Sequence, residues 1–409
     1  MTVRRMSGNI AAALVGAIVG ATLVLSIEGA TRDIVRDRVD APRRDPAAID
    51  IGVPRDGVDP QRTVLLAWAP GGLPSGAERA VERLTGVLDA TTVRAGLDWI
   101  QSSRLAGSVH DDPDTGFAIP FEVAFVDPHE YARYVPPSER PAVLALRPGE
   151  ALLAETSARL RAQNTAVARM TGLRIQLRNA DAQVTDVVSD VATQGYEALL
   201  AGNPPSWWKR MDRFLLMRVR ARAAQRTVTR ALGRMLSPGQ SLRIRAQGET
   251  PFLRYGDAVL PQLHMKATFG EFAARSDGDG TITVSPEWRE QNITSRSVPL
   301  LGKVTCHRAL FPQLEAALEQ VERSGLAFTI DAGDFGGCYS PRFIDSDPDG
   351  RISHHSWGVA IDLNVAENRP GTQPDIDHRV VRIMERHGFT WGGRWLVPDG
   401  MHFEWVRFP

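Results

Sequence analysis

The chain has 409 residues, 43% of them hydrophobic, with 48 basic and 48 acidic side chains that cancel to a formal net charge of zero. At roughly 100–200 residues per domain this length allows two or three domains with ample cores, and the hydrophobic fraction excludes a wholly disordered chain. The balanced charge excludes a general nucleic-acid binder, and two cysteines exclude a disulfide scaffold or a four-cysteine zinc site while allowing one bridge.

Arg4 and Arg5 precede an uncharged run over residues 10–27. A membrane-spanning helix needs about 20 largely apolar residues, whereas the apolar core of a secretory leader is about 7–15 long. Glu28 stands where a cleavage site wants a small residue, and no cysteine offers a lipid attachment point. Residues 1–30 therefore read as a single-pass transmembrane anchor, basic end inside and the remainder extracytoplasmic, with a cleaved leader as the alternative. Residues 31–60 mix charges of both signs with Pro42, Pro46 and Pro54, the composition of an extended, solvated linker.

Residues 61–300 mix strand-like stretches (64–68, 117–126, 173–178) with helix-like ones (76–88, 150–162), so an α+β extracytoplasmic region is expected. It carries no internal repeat, phosphate loop, HExxH or GxSxG motif. Docking a protein partner, or placing the C-terminal part, is the role left to it. Residues 207–234 are rich in arginine against the single acid Asp212, with interleaved apolar residues. They read as a basic amphipathic helix with a solvated charged face, the other use being contact with a membrane or an anionic polymer. Residues 345–350 match half of a calcium loop, but Ser356 stands where its Glu ligand belongs, so the stretch reads as a polar turn.

Chemistry concentrates after residue 300. From Gly358 to Leu363 the residues alternate as in a strand, with Val359, Ile361 and Leu363 on one face and Gly358, Ala360 and Asp362 on the other. A carboxylate beyond two minimal side chains marks a face cleared for something other than packing. His355 is an odd seven residues before Asp362, which places it in the preceding turn, reaching over the small-residue floor. In the strand implied by residues 401–405, His402 and Glu404 share a face while Phe403 and Trp405 point to the core. His355, Asp362 and His402 would give a metal three protein ligands and leave a fourth position open, as a catalytic zinc site requires. Asp399 lies at the turn leading in. Cys306 and Cys338 flank one helix-strand unit and are candidates for a disulfide in an oxidising exterior.

These residues give residues 301–409 a resemblance to the zinc D-alanyl-D-alanine carboxypeptidase and L-alanyl-D-glutamate peptidase family of bacterial cell-wall enzymes, with its Hedgehog/DD-peptidase fold. The motif S-x-H-x-x-G-x-A-x-D is met by Ser353, His355, Gly358, Ala360 and Asp362, and D-x-x-H-F-E by Asp399, His402, Phe403 and Glu404. The stretch 338–344 resembles the segment that carries a substrate-facing arginine, here Arg342. The resemblance implies an α+β fold with an antiparallel sheet floor, one zinc ion, and peptidoglycan stem peptides as substrate. Asp399 would act as general base, Glu404 would orient His402 or compete for the base role, and Arg342 would meet an oxyanion or a substrate carboxylate. Ser353 and His354 would line the cleft, with His354 facing solvent as the alternative. A D-alanyl-D-alanine carboxypeptidase at the cell membrane is the expectation. An L-Ala-D-Glu or cross-link endopeptidase and a non-catalytic zinc-containing wall-binding module are the alternatives.

Overall fold

The computed structural model describes residues 63–407, apart from 163–165, 209–210, 258–259 and 349. Ten strands come first: β1 (Thr63–Trp68), β2 (Val87–Leu105), β3 (Ser108–Asp111), β4 (Ile119–Val126), β5 (Glu150–Ala154), β6 (Arg174–Leu177), β7 (Ala182–Val188), β8 (Ala198–Ala201), β9 (Asp212–Val219) and β10 (Arg243–Ala246). They form one sheet whose path runs β2-β4-β8-β5-β7-β6 and returns to β2, because β6 pairs with β2 at Ser103↔Ile175. The result is a closed six-stranded barrel. Closure leaves no free edge within the ring.

This corrects the α+β expectation. The ring has mixed direction, with β4–β8 and β5–β7 parallel and the other pairings antiparallel. Its key element is β2, whose 19 residues first pair with β9 along 87–95 and then with β4 and β6 farther on. One long strand thus serves the barrel and also starts an extension, β9-β1-β10. Alternation sorts the faces: Phe121, Val123, Leu153, Val184 and Leu200 enter one core, while Ala124, Val126, Leu152, Leu199 and Leu216 enter another.

The expected anchor and linker, residues 1–60, lie outside the described residues. Among the described residues no helix is long and apolar enough to cross a membrane. The basic stretch 207–234 is not one helix but strand β9 followed by a helix, Ala224–Gly233. β9 is central, between β1 and β2, so its apolar Phe214, Leu215, Leu216 and Met217 are buried on both faces. The expected helix at 150–162 is strand β5 and then a helix, Glu155–Ala162, and the one at 76–88 stops at Glu82.

A helix, Gln262–Phe269, leads to the hairpins β11 (Ala274–Ser276) with β12 (Ile282–Val284) and β13 (Ile293–Val298) with β14 (Gly302–His307). The helix Phe311–Arg323 follows, burying Leu314, Ala317, Leu318 and Val321 at the i, i+3, i+4, i+7 spacing of one helical face. Three last strands, β15 (Ala360–Asp362), β16 (Phe389–Trp391) and β17 (His402–Trp405), form an antiparallel sheet in the order β15-β17-β16. Leu97, Trp99 and Ala118 of the barrel region share one core with this C-terminal part. A disulfide joins Cys306 on β14 to Cys338, whose Cα atoms are 5.3 Å apart.

The two parts also meet through a buried charge cluster. Lys266 Nζ donates to Glu197 Oε1 at 2.8 Å and Oε2 at 2.9 Å, and lies 2.9 Å from Glu271. Arg161 Nη2 donates to Glu271 at 3.0 Å, and Gln262 Nε2 to Glu197 at 3.1 Å. The segment that follows, Phe269 to Phe272, packs Phe272 against Trp357 at 4.6 Å and accepts the Trp357 indole N–H at Gly270 O.

Candidate metal centre

His354–Trp357 form a 3-10 turn that enters β15, so His355 is in the turn and Asp362 at the end of the strand. Asp362 pairs directly with His402 across β15 and β17. Gly358 makes the turn possible: its φ is 68°, and a Cβ there would stand 2.6 Å from His307 N. Gly392 serves the neighbouring loop, because a Cβ would stand 2.7 Å from Asp399 O and 3.3 Å from His402 Cβ.

Three ligand atoms converge. His355 Nε2 is 3.2 Å from Asp362 Oδ1, 3.1 Å from Oδ2 and 3.2 Å from His402 Nδ1, and His402 Nδ1 is 3.0 Å from Asp362 Oδ1. All three residues are buried, and their ligand atoms lie within 4.8 Å of one another. The outer ring nitrogens decide what the inner ones carry. His355 Nδ1 lies 2.9 Å from Cys338 O, which takes only a donor, and His402 Nε2 lies 3.2 Å from Glu404 Oε1. With protons on those outer nitrogens, both inner nitrogens present lone pairs toward an anionic carboxylate. Such an arrangement demands positive charge at its centre, from extra protons or from a cation. These donors fit a borderline cation such as zinc, with a carbonyl and a carboxylate orienting the two imidazoles from behind.

The electrostatics agree. Burial pushes the His355 imidazole below its ordinary value despite its contact with Asp362, so an extra proton is disfavoured there. Burial opposes charge on His402 too, but its bonds to Asp362 and Glu404 outweigh that and lift it to about 10. For Asp362, burial favours the neutral acid, yet the bonds from His355 and His402 hold the carboxylate well below its usual range.

Asp399 enters the same field. Burial lifts its carboxyl to about 6, with His402 pulling it down and Asp362 and Glu404 pushing it up. Its Oδ1 is buried without a hydrogen-bond partner among the described residues, which leaves that oxygen available to a group outside the chain. Glu404 is different: burial opposes its charge, but His354 and His402 hold it low. Its Oε1 receives both rings, at 3.1 Å from His354 Nδ1 and 3.2 Å from His402 Nε2. The chain thereby separates two carboxyls by environment, one retained as an anion and one free to titrate.

Arg342 places Nη2 3.5 Å from Asp362 Oδ2 with its side chain 29% exposed, so the guanidinium reaches the centre and the solvent together. Ser353 turns inward instead of toward a ligand: its Oγ accepts from His355 N at 3.3 Å and caps the turn. His354 is buried against Glu404 rather than lining an open cleft. Sequence reasoning missed Ser356, which holds Arg342 N at 3.1 Å, and Cys338, whose carbonyl orients His355. It also missed the part that β10 and the segment after it play beside the centre. Asp257 Oδ2 accepts Leu396 N at 2.6 Å, and Arg243 Nη2 donates to Arg394 O at 3.3 Å, beside Trp395, whose ring is 5.2 Å from that of His402. No motif marks Asp257; only the folded chain brings it there.

The sequence model of the family described as D-alanyl-D-alanine carboxypeptidase matches residues 347–405, the stretch that holds this centre. The match supports a peptidase of that family in the C-terminal part of the chain. No curated protein matches the chain. Among solved structures, the periplasmic region of MacB from Actinobacillus actinomycetemcomitans is similar at 8% identity over 44% of this chain and 87% of that chain. Its TM-score of 0.28 is too low to carry an argument.

Proposed function

We propose that the protein is an extracytoplasmic zinc peptidase that removes the terminal D-alanine from peptidoglycan stem peptides. The observation that carries the reading is the convergence of His355, Asp362 and His402, with both outer imidazole nitrogens already engaged. Zinc, when bound there, supplies Lewis-acid polarisation of the scissile carbonyl and makes nearby water more acidic. Asp399 accepts the proton of the attacking water and returns it to the leaving amine nitrogen, a role suited to a carboxyl at about 6. Glu404 keeps His402 and His354 in place. Arg342 is in position to pair with the terminal carboxylate of a peptide or with the developing oxyanion.

The disulfide supports an oxidising, extracytoplasmic location; attachment to the cell membrane rests on the uncharged run over residues 10–27 alone. The barrel region is the surface we assign to any protein partner. The test is mass spectrometry of muropeptides incubated with the zinc-loaded protein beside an Asp399→Ala variant. Loss of terminal D-alanine with the parent protein alone supports the carboxypeptidase. Cleavage within the stem or the cross-link makes it an endopeptidase, and no product from folded, zinc-bound protein overturns the enzyme reading.

A further inference from the structure

A second site lies where β2 and β9 pair, in a pocket of about 170 Å³ walled by the segment Leu73–Arg79. Arg94 on β2 and Arg213 on β9 are Cα partners in the antiparallel register, so both side chains leave the sheet on the same face. Like charges directly opposite one another destabilise a sheet unless something offsets them. Among the described residues nothing does. Arg94 Nη1 donates to Asn203 Oδ1 at 2.8 Å, a neutral amide, and Arg213 Nε is buried without a hydrogen-bond partner. Neither guanidinium lies in an ion pair with a described carboxylate.

The pocket is built around that pair. Leu73 N donates to Arg213 O at 3.1 Å, and Gly72 is pressed so close that a Cβ would lie 3.3 Å from Arg213 Cβ. Arg79 also faces the pocket. The one acid in its lining, Glu78, is held by the Thr92 hydroxyl rather than by an arginine. Three arginines against one carboxylate leave an excess of two positive charges, and burial together with Arg94 already disfavours the charge on Arg213.

We propose that this pocket binds a phosphate group, with Arg94 and Arg213 as its two forks and Arg79 at its mouth. A carboxylate would balance only one of the two excess charges, whereas a phosphate monoester carries about −1.5 to −2 at neutral pH and offers oxygens to two guanidiniums at once. The phosphate comes from a soluble phosphate compound or from a phosphomonoester lipid headgroup. The site is independent of the metal centre.

The test uses the full chain, with calorimetric titration of inorganic phosphate and, separately, of a short-chain phosphatidic acid below its micelle concentration, at fixed ionic strength. Saturable binding that weakens at least tenfold in both Arg94→Gln and Arg213→Gln, and is unchanged in Arg230→Gln on the exposed helix, supports the site. Arg213→Lys, which keeps the charge and loses the fork, is expected to fall between. Tighter binding of the lipid than of inorganic phosphate assigns a headgroup; equal or weaker binding assigns a soluble phosphate compound. Absence of saturable binding by either probe, or binding unchanged in both glutamine variants, overturns the proposal.

Discussion

Lys266→Met is the substitution with the largest expected effect on stability. Lys266 is 1% exposed, and its ammonium reaches Glu197, Glu271 and the carbonyl of Pro120. Methionine nearly matches the stem in volume, so the loss is the charge and its bonds, not packing. Among the described residues Glu197 would keep Gln262 Nε2, the backbone N–H of Glu122 at 3.2 Å and Arg161 at 3.8 Å. Each hydrogen bond to a charged group is worth about 1.5–3 kcal/mol, and stranding one member of a buried ion pair costs about 3–5 kcal/mol. We therefore expect a loss of about 4 kcal/mol, read as a lower urea midpoint by tryptophan fluorescence. Adding Glu197→Gln removes the stranded charge and should recover half of the loss or more. A single-variant loss below about 1 kcal/mol, or a double variant as unstable as the sum of the singles, would refute the reasoning.

Other expectations follow from the same geometry. Asp399→Ala should retain zinc, by metal analysis, while kcat falls by about 10² to 10⁴; His402→Asn should lose zinc as well, along with the roughly 2.7 kcal/mol that a hundredfold excess of metal over its Kd adds to stability. Burial among the rings of Phe269 and Trp288 pushes His307 down to about 4, so its contribution is full above about pH 6.5 and fades as pH falls toward 4. That amounts to about 2 kcal/mol lost by pH 5, and His307→Asn should flatten the pH slope of unfolding. Reducing the disulfide releases a loop of 32-residue separation, for which chain entropy gives about 3–4 kcal/mol, visible in denaturation with and without dithiothreitol. Asp257→Ala frees Leu396 N and strands the buried Arg245 guanidinium, so it should lower the urea midpoint and raise KM more than it lowers kcat, because it acts beside Trp395 and not on the reacting groups.

The candidate site was the most legible part of the chain because its determinants are local. Ala360 and Asp362 do share a strand face, but Gly358 belongs to the left-handed turn before it, so the strand expected from Gly358 to Leu363 is only Ala360–Asp362; the odd spacing did place His355 in that turn. The pairing of Asp362 with His402 is long-range, yet the two segments each carry their own strand period. The roles of Ser353 and His354 were harder: a short polar side chain beside a motif reads equally as a ligand contact or as a cap, and only coordinates tell them apart. In the middle region β4 and β6 lay within stretches read as strands and β1 began one residue before its own, with clear alternation only at β4. The barrel did not follow from them, because closure depends on the Ser103↔Ile175 register between segments some seventy residues apart. Residues 150–162 misled for a related reason. The apolar run Ala151–Ala154 is buried on both faces of a strand, and such a run has no period to separate it from helix.

The place of β1 has a mechanical meaning. The strand is hydrogen-bonded along both edges, to β9 from Thr63 to Ala67 and to β10 from Leu65 to Trp68. Thr63, the first described residue, is also the first residue of this strand. A pull from that side runs along the two ladders, so their bonds, which lie across the pull, are strained together in shear instead of being peeled one after another. The peptidase-like part is attached farther on, through the shared core at Leu97, Trp99 and Ala118, the buried charge cluster and the Asp257 contact. A pull applied at Thr63 therefore loads a double-sided clamp, far along the chain from the residues of the metal centre.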